Sequence, residues 1–327
     1  MNQSKSYKPK TAVIMMNMGG PGSLDEVEPF LYNLFMDPDI IDIPLGRFIR
    51  PLIAGRIAKS RASKVREYYK KMGGKSPLLD ITLEQAALLE ASLKNEGGYS
   101  TYVAMRYTRP FTEEAVKRAV KDGVSRIILL PLYPQYSKTT TGSSLNEFNR
   151  IYKKYGVGEM ELIKIRDWHN NKFYIKVWSD KINSLLESCN NKAPTIIFSA
   201  HGIPEKYVKQ GDPYQSQTEE TIKLIIKKLN RQVEWRLSYQ SRVGPMKWLQ
   251  PNTIDTIKKL GKNGTDSVIM VPISFVSDHS ETLYEMDIQY KKLTEEVGIK
   301  NFMRVESLNS DPNFIEALKH IVLDNID

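Results

Sequence analysis

Apolar residues fall into two alternating rhythms along this 327-residue chain. Eight short runs are nearly continuous in apolar side chains and rich in Val and Ile. They are 11–18 (TAVIMMNM), 102–107 (YVAMRY), 126–133 (RIILLPLY), 160–165 (MELIKI), 194–200 (PTIIFSA), 235–240 (WRLSYQ), 267–273 (SVIMVPI) and 301–306 (NFMRVE). Such runs suit strands buried on both faces, as in a parallel sheet. Between them lie periodic stretches of helical length, at 83–94, 112–123, 173–188, 217–230 and 313–326. Another helix, over 27–35, is announced by Ser23 with Glu26 three residues later, the spacing of a capping box. The alternation predicts an α/β fold with helices on both faces of parallel sheets. Two successive sets of about four strands predict two Rossmann-like lobes, with the active cleft between them or at the strand C-termini.

Composition narrows the class. A content of 41% hydrophobic and 26% charged residues is that of a globular protein, and at roughly 100 to 200 residues per domain it predicts two domains. No run approaches the roughly 18 apolar residues of a membrane-spanning helix, and the start, MNQSKSYKPK, is polar and lysine-rich. The expectation is a cytoplasmic protein without a cleaved leader. The single Cys189 precludes an intrachain disulfide and any zinc or iron-sulfur site built from several cysteines of this chain. A metal here must use His, Asp or Glu.

Charge adds a partner class. The net charge of +9 is concentrated between Arg47 and Lys71, where nine basic residues face one acid, Glu67. Phe48, Ile49, Leu52, Ile53 and Ile57 are interleaved with them. That mixture favours an anionic, partly apolar partner, either a membrane surface or an amphiphile bearing carboxylates; a solvated basic helix face is the alternative. No nucleic-acid motif accompanies it, so no nucleic-acid partner is expected.

Chemistry is sought at strand C-termini. After the first strand comes NMGGPG (17–22), which lacks the dinucleotide spacing G-x-G-x-x-G, and a tight turn alone explains Gly19 and Gly20. The chain has no Walker A sequence, G-x-S-x-G elbow or H-E-x-x-H pair. The fifth strand leads into FSAHGIP (198–204), where Gly202 and Pro204 turn the chain around His201. An imidazole with an ordinary pKa of ~6.5 can take a proton near neutrality, although a histidine so placed can equally serve as a local hydrogen-bonder. The seventh strand leads into VSDHSETLYEMDIQY (276–290). If an α-helix starts near Asp278 or Ser280, Glu281 and Glu285 share one face and Gln289 continues the stripe. The helix dipole accounts for Asp278 and Glu281 but less well for Glu285. Stacked carboxylates near His279 and His201 could pass a divalent cation or protons between them.

These motifs resemble the ferrochelatase family, whose members insert ferrous iron into a porphyrin in the last step of haem synthesis. The likeness runs from about Thr11 to the C-terminus through NMGGP, YYKKMGGKSP, RYTRP, LYPQYSKTTTGSS, FSAHGIP, GDPY, QSRVGPMKWLQP and SDHSETLYEMD in that order. The resemblance implies an N-terminal lobe over 1–135, including an active-site lip at about 46–72 and completed by a C-terminal helix over 311–327, and a second lobe over 136–310. It implies that His201 and Glu281 face each other at the metal-insertion site, with Glu285 behind as a third catalytic group. Met18, Tyr69, Arg106, Tyr107, Tyr136, Ser137 and Trp248 would line the porphyrin cleft, Arg106 pairing with a propionate. The partners implied are protoporphyrin IX and Fe²⁺, the ion being a substrate rather than a resident cofactor. The lip at 47–71 would make a peripheral contact at the inner face of a membrane. Some members carry an iron-sulfur cluster on four cysteines; with Cys189 alone, none is expected here. The ETLYEMDIQY and GDPY segments resemble the branch acting on protoporphyrin IX, the alternatives being coproporphyrin III, another tetrapyrrole chelatase, or a porphyrin carrier without turnover.

Overall fold

The computed structural model describes residues 10–41, 46–155, 160–189, 194–242 and 246–326. The polar start, residues 243–245 of the VGPMKWL motif, Asp327 and the Arg47 side chain lie outside the described residues.

All eight expected strands form: β1 Thr11–Asn17, β2 Tyr99–Met105, β3 Arg126–Pro131, β4 Glu161–Lys164, β5 Thr195–His201, β6 Trp235–Gln240, β7 Ser267–Val271 and β8 Asn301–Arg304. They make two four-stranded sheets, ordered β2-β1-β3-β4 and β6-β5-β7-β8, parallel throughout. The most apolar runs, β1, β5 and β7, lie in the sheet interiors, whereas β4 and β8 are four-residue edge strands. β2 begins three residues before its apolar run, because Tyr99, Ser100 and Thr101 pair through backbone with Thr11, Ala12 and Val13 while their side chains stay half-exposed. Apolarity marks buried strand, and backbone pairing extends past it.

Among the described residues eleven α-helices lie between and after the strands: α1 Val27–Met36, α2 Gly46–Lys71, α3 Leu78–Leu93, α4 Thr112–Lys121, α5 Ser143–Tyr155, α6 Lys172–Ser188, α7 Glu205–Lys209, α8 Tyr214–Ile226, α9 Thr253–Lys262, α10 Lys291–Glu296 and α11 Pro312–Leu323. Two π-helical segments, Lys138–Gly142 and Glu281–Tyr290, precede α5 and α10. The expected capping box at Ser23 does not form. The Glu26 carboxylate instead accepts from the Gly22 N–H at 2.9 Å, which fixes the turn, and the helix starts only at Val27.

Alternation along β1 divides the packing. Val13 and Met15 enter a core shared with Phe198, Ile269, Trp168 and Phe314, while Ala12, Ile14 and Met16 pack under α4 and α5. α11 lies against α3 and α6. On α2, Ala54, Ala58 and Ala62 recur every fourth residue and are buried, so small side chains let this basic helix sit closely on α1. Among the described residues no helix is long and apolar enough to cross a membrane.

Candidate active site

β5 ends in His201, paired in register with Gln240 at the end of β6. Its backbone is held from both sides: the N–H donates to Ser274 Oγ at 3.3 Å, and the carbonyl accepts from Tyr214 Oη at 2.8 Å. The next N–H, of Gly202, donates to the Gln240 carbonyl at 2.9 Å. A Cβ on Gly202 would lie 2.8 Å from that oxygen and 3.2 Å from Trp248 Cε3, so the absence of a side chain lets Trp248 close over the strand end. The Trp248 Nε1 is buried and has no partner among the described residues.

His201 Nδ1 lies 2.9 Å from Glu281 Oε2, and the imidazole remains 35% exposed. Glu281 begins the π-helix, in which the Lys291 N–H reaches back five residues to the Met286 carbonyl. The expected α-helix is therefore a wider one, of a kind that is rare and concentrated at functional sites. Glu281 and Glu285 still fall on the His201 side. Gln289 does not extend the stripe; its amide donates to Tyr284 Oη at 3.5 Å. Three donors converge on Glu285 Oε2: Ser241 Oγ at 2.7 Å, Gln240 Nε2 at 3.1 Å and Tyr290 Oη at 3.4 Å.

None of those three residues was picked out by sequence reasoning. Gln240 and Ser241 do occupy a strand C-terminus, the position that singled out His201, and Tyr290 stands five residues from Glu285, the π-helical interval. Ser241 adopts φ +63°, a left-handed conformation that is strained for a residue with a Cβ.

Electrostatics separates the titrating groups. Burial disfavours the His201 imidazolium, but the Glu281 charge and hydrogen bond, with Glu285 adding, outweigh it and raise the pKa above its ordinary value. Burial likewise disfavours the Glu281 carboxylate, yet His201 beside it, with His279 and Ser241, holds its pKa below the usual range. Glu285 goes the other way: burial first and the Glu281 charge second push it up to about 7. His279 is kept toward neutral by burial. Its Nδ1 accepts from the Glu281 N–H at 3.1 Å, which assigns the proton to Nε2. Phe275 sets its ring edge-on to His279, with 4.1 Å between centroids.

The other expected site residues divide into three groups. Tyr69, buried at the end of α2, contacts Ser280; burial pushes its phenol up to about 12. It thus stands next to the His201–Glu281 pair. Arg106 and Tyr107 converge instead on Asp37, a fully buried carboxylate that the sequence did not flag. Arg106 Nη2 lies 3.0 Å from Asp37 Oδ2, Tyr107 Oη donates to the same oxygen at 2.7 Å, and Ser143 Oγ donates to it as well. Arg106 Nε also donates to Ser143 Oγ at 2.8 Å, so a propionate would have to share this guanidinium with an internal partner. The Met18 carbonyl accepts from the Tyr107 N–H at 3.0 Å.

Tyr136 and Ser137 have other contacts. The Tyr136 N–H donates to Gln217 Oε1 at 2.7 Å and Arg166 covers its ring, while the buried Ser137 hydroxyl donates to Asp212 Oδ2 at 3.0 Å and caps the first π-helical segment. A cavity of about 450 Å³ opens elsewhere, at the N-terminal edge of β7 and β8 beside Cys189 and Met303, and does not adjoin His201.

The family model described as Ferrochelatase matches residues 10–326. A ferrochelatase of Aquifex aeolicus is 46% identical over 317 residues, covering 97% of this chain and all of the relative. One of Geotalea daltonii is 44% identical over 314 residues, covering 96% and 97%. Among solved structures, SirB from Bacillus subtilis with Fe³⁺ superposes at a TM-score of 0.58 with 13% identity, covering 97% of this chain and 95% of that one. The cobalt complex of the sirohydrochlorin chelatase SirB from the subspecies spizizenii reaches 0.54 with 10% identity over 97% and 94%. Those two likenesses establish the two-sheet fold.

Proposed function

The chain belongs to the ferrochelatase family, enzymes that insert a metal into a porphyrin, and from that premise we propose that its substrates are Fe²⁺ and protoporphyrin IX. The observation that carries the reading is the facing of His201 and Glu281 at 2.9 Å with Glu285 behind them. Insertion strips water from the ion, breaks the two pyrrole N–H bonds, joins the ion to all four ring nitrogens, and releases two protons. The site needs proton acceptors close to the macrocycle and oxygen ligands that exchange an ion quickly.

In the resting site His201 tends to hold a proton and Glu281 to lack one. A protonated imidazole neither ligates iron nor accepts a pyrrole proton. His201 therefore passes its proton toward the carboxylates first, and Glu285, ionising near neutrality, is suited to receive it and release it outward. Glu281 and His201 are the metal contacts in this reading; Met18, Tyr69, Arg106, Tyr107, Tyr136, Ser137 and Trp248 belong to the porphyrin cleft. Tyr69 and Trp248 carry that assignment best, since both touch residues adjoining the pair. Of the lobes proposed at 1–135 with 311–327 and at 136–310, the second contains the whole β6-β5-β7-β8 sheet, whereas β4 of the first sheet, Glu161–Lys164, falls beyond residue 135.

The lip is proposed to rest on a membrane at the cytoplasmic face. Phe48 and Leu52 are 81% and 67% exposed on α2, in a helix whose Arg56, Lys59 and Lys64 are also exposed.

Anaerobic incubation with Fe²⁺ and either protoporphyrin IX or coproporphyrin III, followed by the loss of porphyrin fluorescence, tests the substrate. Faster turnover of coproporphyrin III would overturn the choice of porphyrin, and no turnover of either would overturn the catalytic reading. His201→Ala and Glu281→Gln should each lower turnover by about 10²- to 10⁴-fold with porphyrin binding retained.

A further inference from the structure

The π-helix bearing both glutamates has a brace outside it. Arg304, the last residue of β8, has a side chain only 12% exposed, and its guanidinium meets two aspartates. Nε and Nη2 form a fork on Asp287, at 2.6 Å to Oδ1 and 2.9 Å to Oδ2, while Nη1 reaches Asp278 Oδ1 at 3.3 Å. Asp278 precedes Glu281 by three residues, and Asp287 follows Glu285 by two. One planar group thus spans the stretch between them.

The N-terminal anchor is itself pinned. Asp278 accepts from Ser307 Oγ at 2.7 Å, Asn309 Nδ2 at 2.8 Å and Thr282 Oγ1 at 2.9 Å. Asn309, in the left-handed region at φ +43°, returns its Oδ1 to the Asp278 N–H at 2.8 Å. From α3 the buried Gln85 amide donates to the Asn309 carbonyl at 2.7 Å and to Ser277 Oγ at 3.0 Å. Left to itself this segment would close the tighter i→i+4 turns of an α-helix, carrying Glu285 around the axis relative to Glu281. Something external must fix the wider winding, and a guanidinium fork bonded to both ends does so where a lysine, a single point charge, cannot.

We propose that Arg304 is a positioning residue for metal insertion: by bridging Asp278 and Asp287 it holds the intervening segment in the π-helical register that sets Glu281 against His201 and Glu285 against Ser241. The proposal rests on the reading of Glu281 and Glu285 as catalytic groups.

The test uses the full chain and two variants, Arg304→Lys and Asp287→Asn, each of which breaks the fork without emptying the interior. Amide hydrogen exchange over 281–291 should quicken about tenfold while exchange in β1 and β5 is unchanged. Turnover with Fe²⁺ and porphyrin should fall by about 10- to 100-fold with the porphyrin KM held within about twofold. Arg304→Lys should lower the turnover of Glu285→Gln by a smaller factor than it lowers that of the wild type, because part of its effect runs through Glu285. Unchanged exchange over 281–291, exchange raised throughout the molecule, or losses that multiply in the double variant would each overturn the proposal. If Glu285→Gln alone keeps full turnover, the catalytic reading of Glu285 is what falls, and exchange over 281–291 still decides whether Arg304 holds the segment.

Discussion

Tyr68 on α2 and Tyr284 on the π-helix lie ring on ring, their centroids 4.3 Å apart and their planes inclined by 23°. Lys64 sits over the first ring and Lys71 over the second, at 5.9 and 5.7 Å. This stack joins the basic apolar helix to the segment carrying the glutamates, so movement of one is felt by the other. A Tyr68→Leu and Tyr284→Leu double-mutant cycle, read by urea unfolding, should give a coupling of about 0.5–1.5 kcal/mol. Additive effects would mean that the two rings are merely adjacent.

Glu285 gives a pH signature whose sign follows from its environment. Its carboxyl ionises near 4.5 when unfolded and at about 7 when folded. Between those values the native state holds more protons than the unfolded one, so this group's contribution to stability falls as pH rises through that window. Glu285→Gln should therefore be more stable than the wild type at pH 8, by an advantage that vanishes below about pH 4.5, and thermal melts at the two pH values check it. The same substitution should remove the rise in kcat/KM for porphyrin through about pH 7 that ionised Glu285 produces in the wild type. A limb that survives in the variant would assign that titration elsewhere.

Asp37 anchors one wall of the proposed cleft. Its side chain is wholly buried against Arg106, Tyr107 and Ser143. Asp37→Ala leaves a largely buried guanidinium without its counter-charge and should cost about 3–5 kcal/mol in thermal or urea unfolding. Asp37→Asn, which keeps an acceptor for Tyr107 and Ser143, should cost less. Equal losses in the two variants would show that charge alone matters.

Much of this architecture is legible in the sequence, because burial on both faces writes itself into continuous apolar runs such as TIIFSA, and because strand ends are where α/β proteins expose reactive groups. His201 could be singled out on that ground, and the His201–Glu281 pairing was reachable through the motifs the chain shares with ferrochelatases. The winding of the second π-helix was not, since residues four apart share a face in either winding and only Tyr290, five residues from Glu285, hints at the wider turn. Asp37 escaped because its partners are 69, 70 and 106 positions away along the chain, beyond any periodic pattern. Ser241 escaped because its side chain points where it does only through a backbone conformation that its residue type disfavours. The capping box failed for a related reason: Ser23 and Glu26 have the right spacing, and a nearer donor, the Gly22 N–H, takes the carboxylate.

The two sheets share one wiring order, with β1 and β5 in the same place, so Asn17 and His201 hold the same address in their respective halves. At one address an amide binds its own backbone neighbour and Thr82; at the other an imidazole meets a carboxylate. The asymmetry of the molecule is thus a matter of tenancy rather than of frame: a duplicated scaffold offers two equivalent posts, and only one is staffed with a group that can carry a proton.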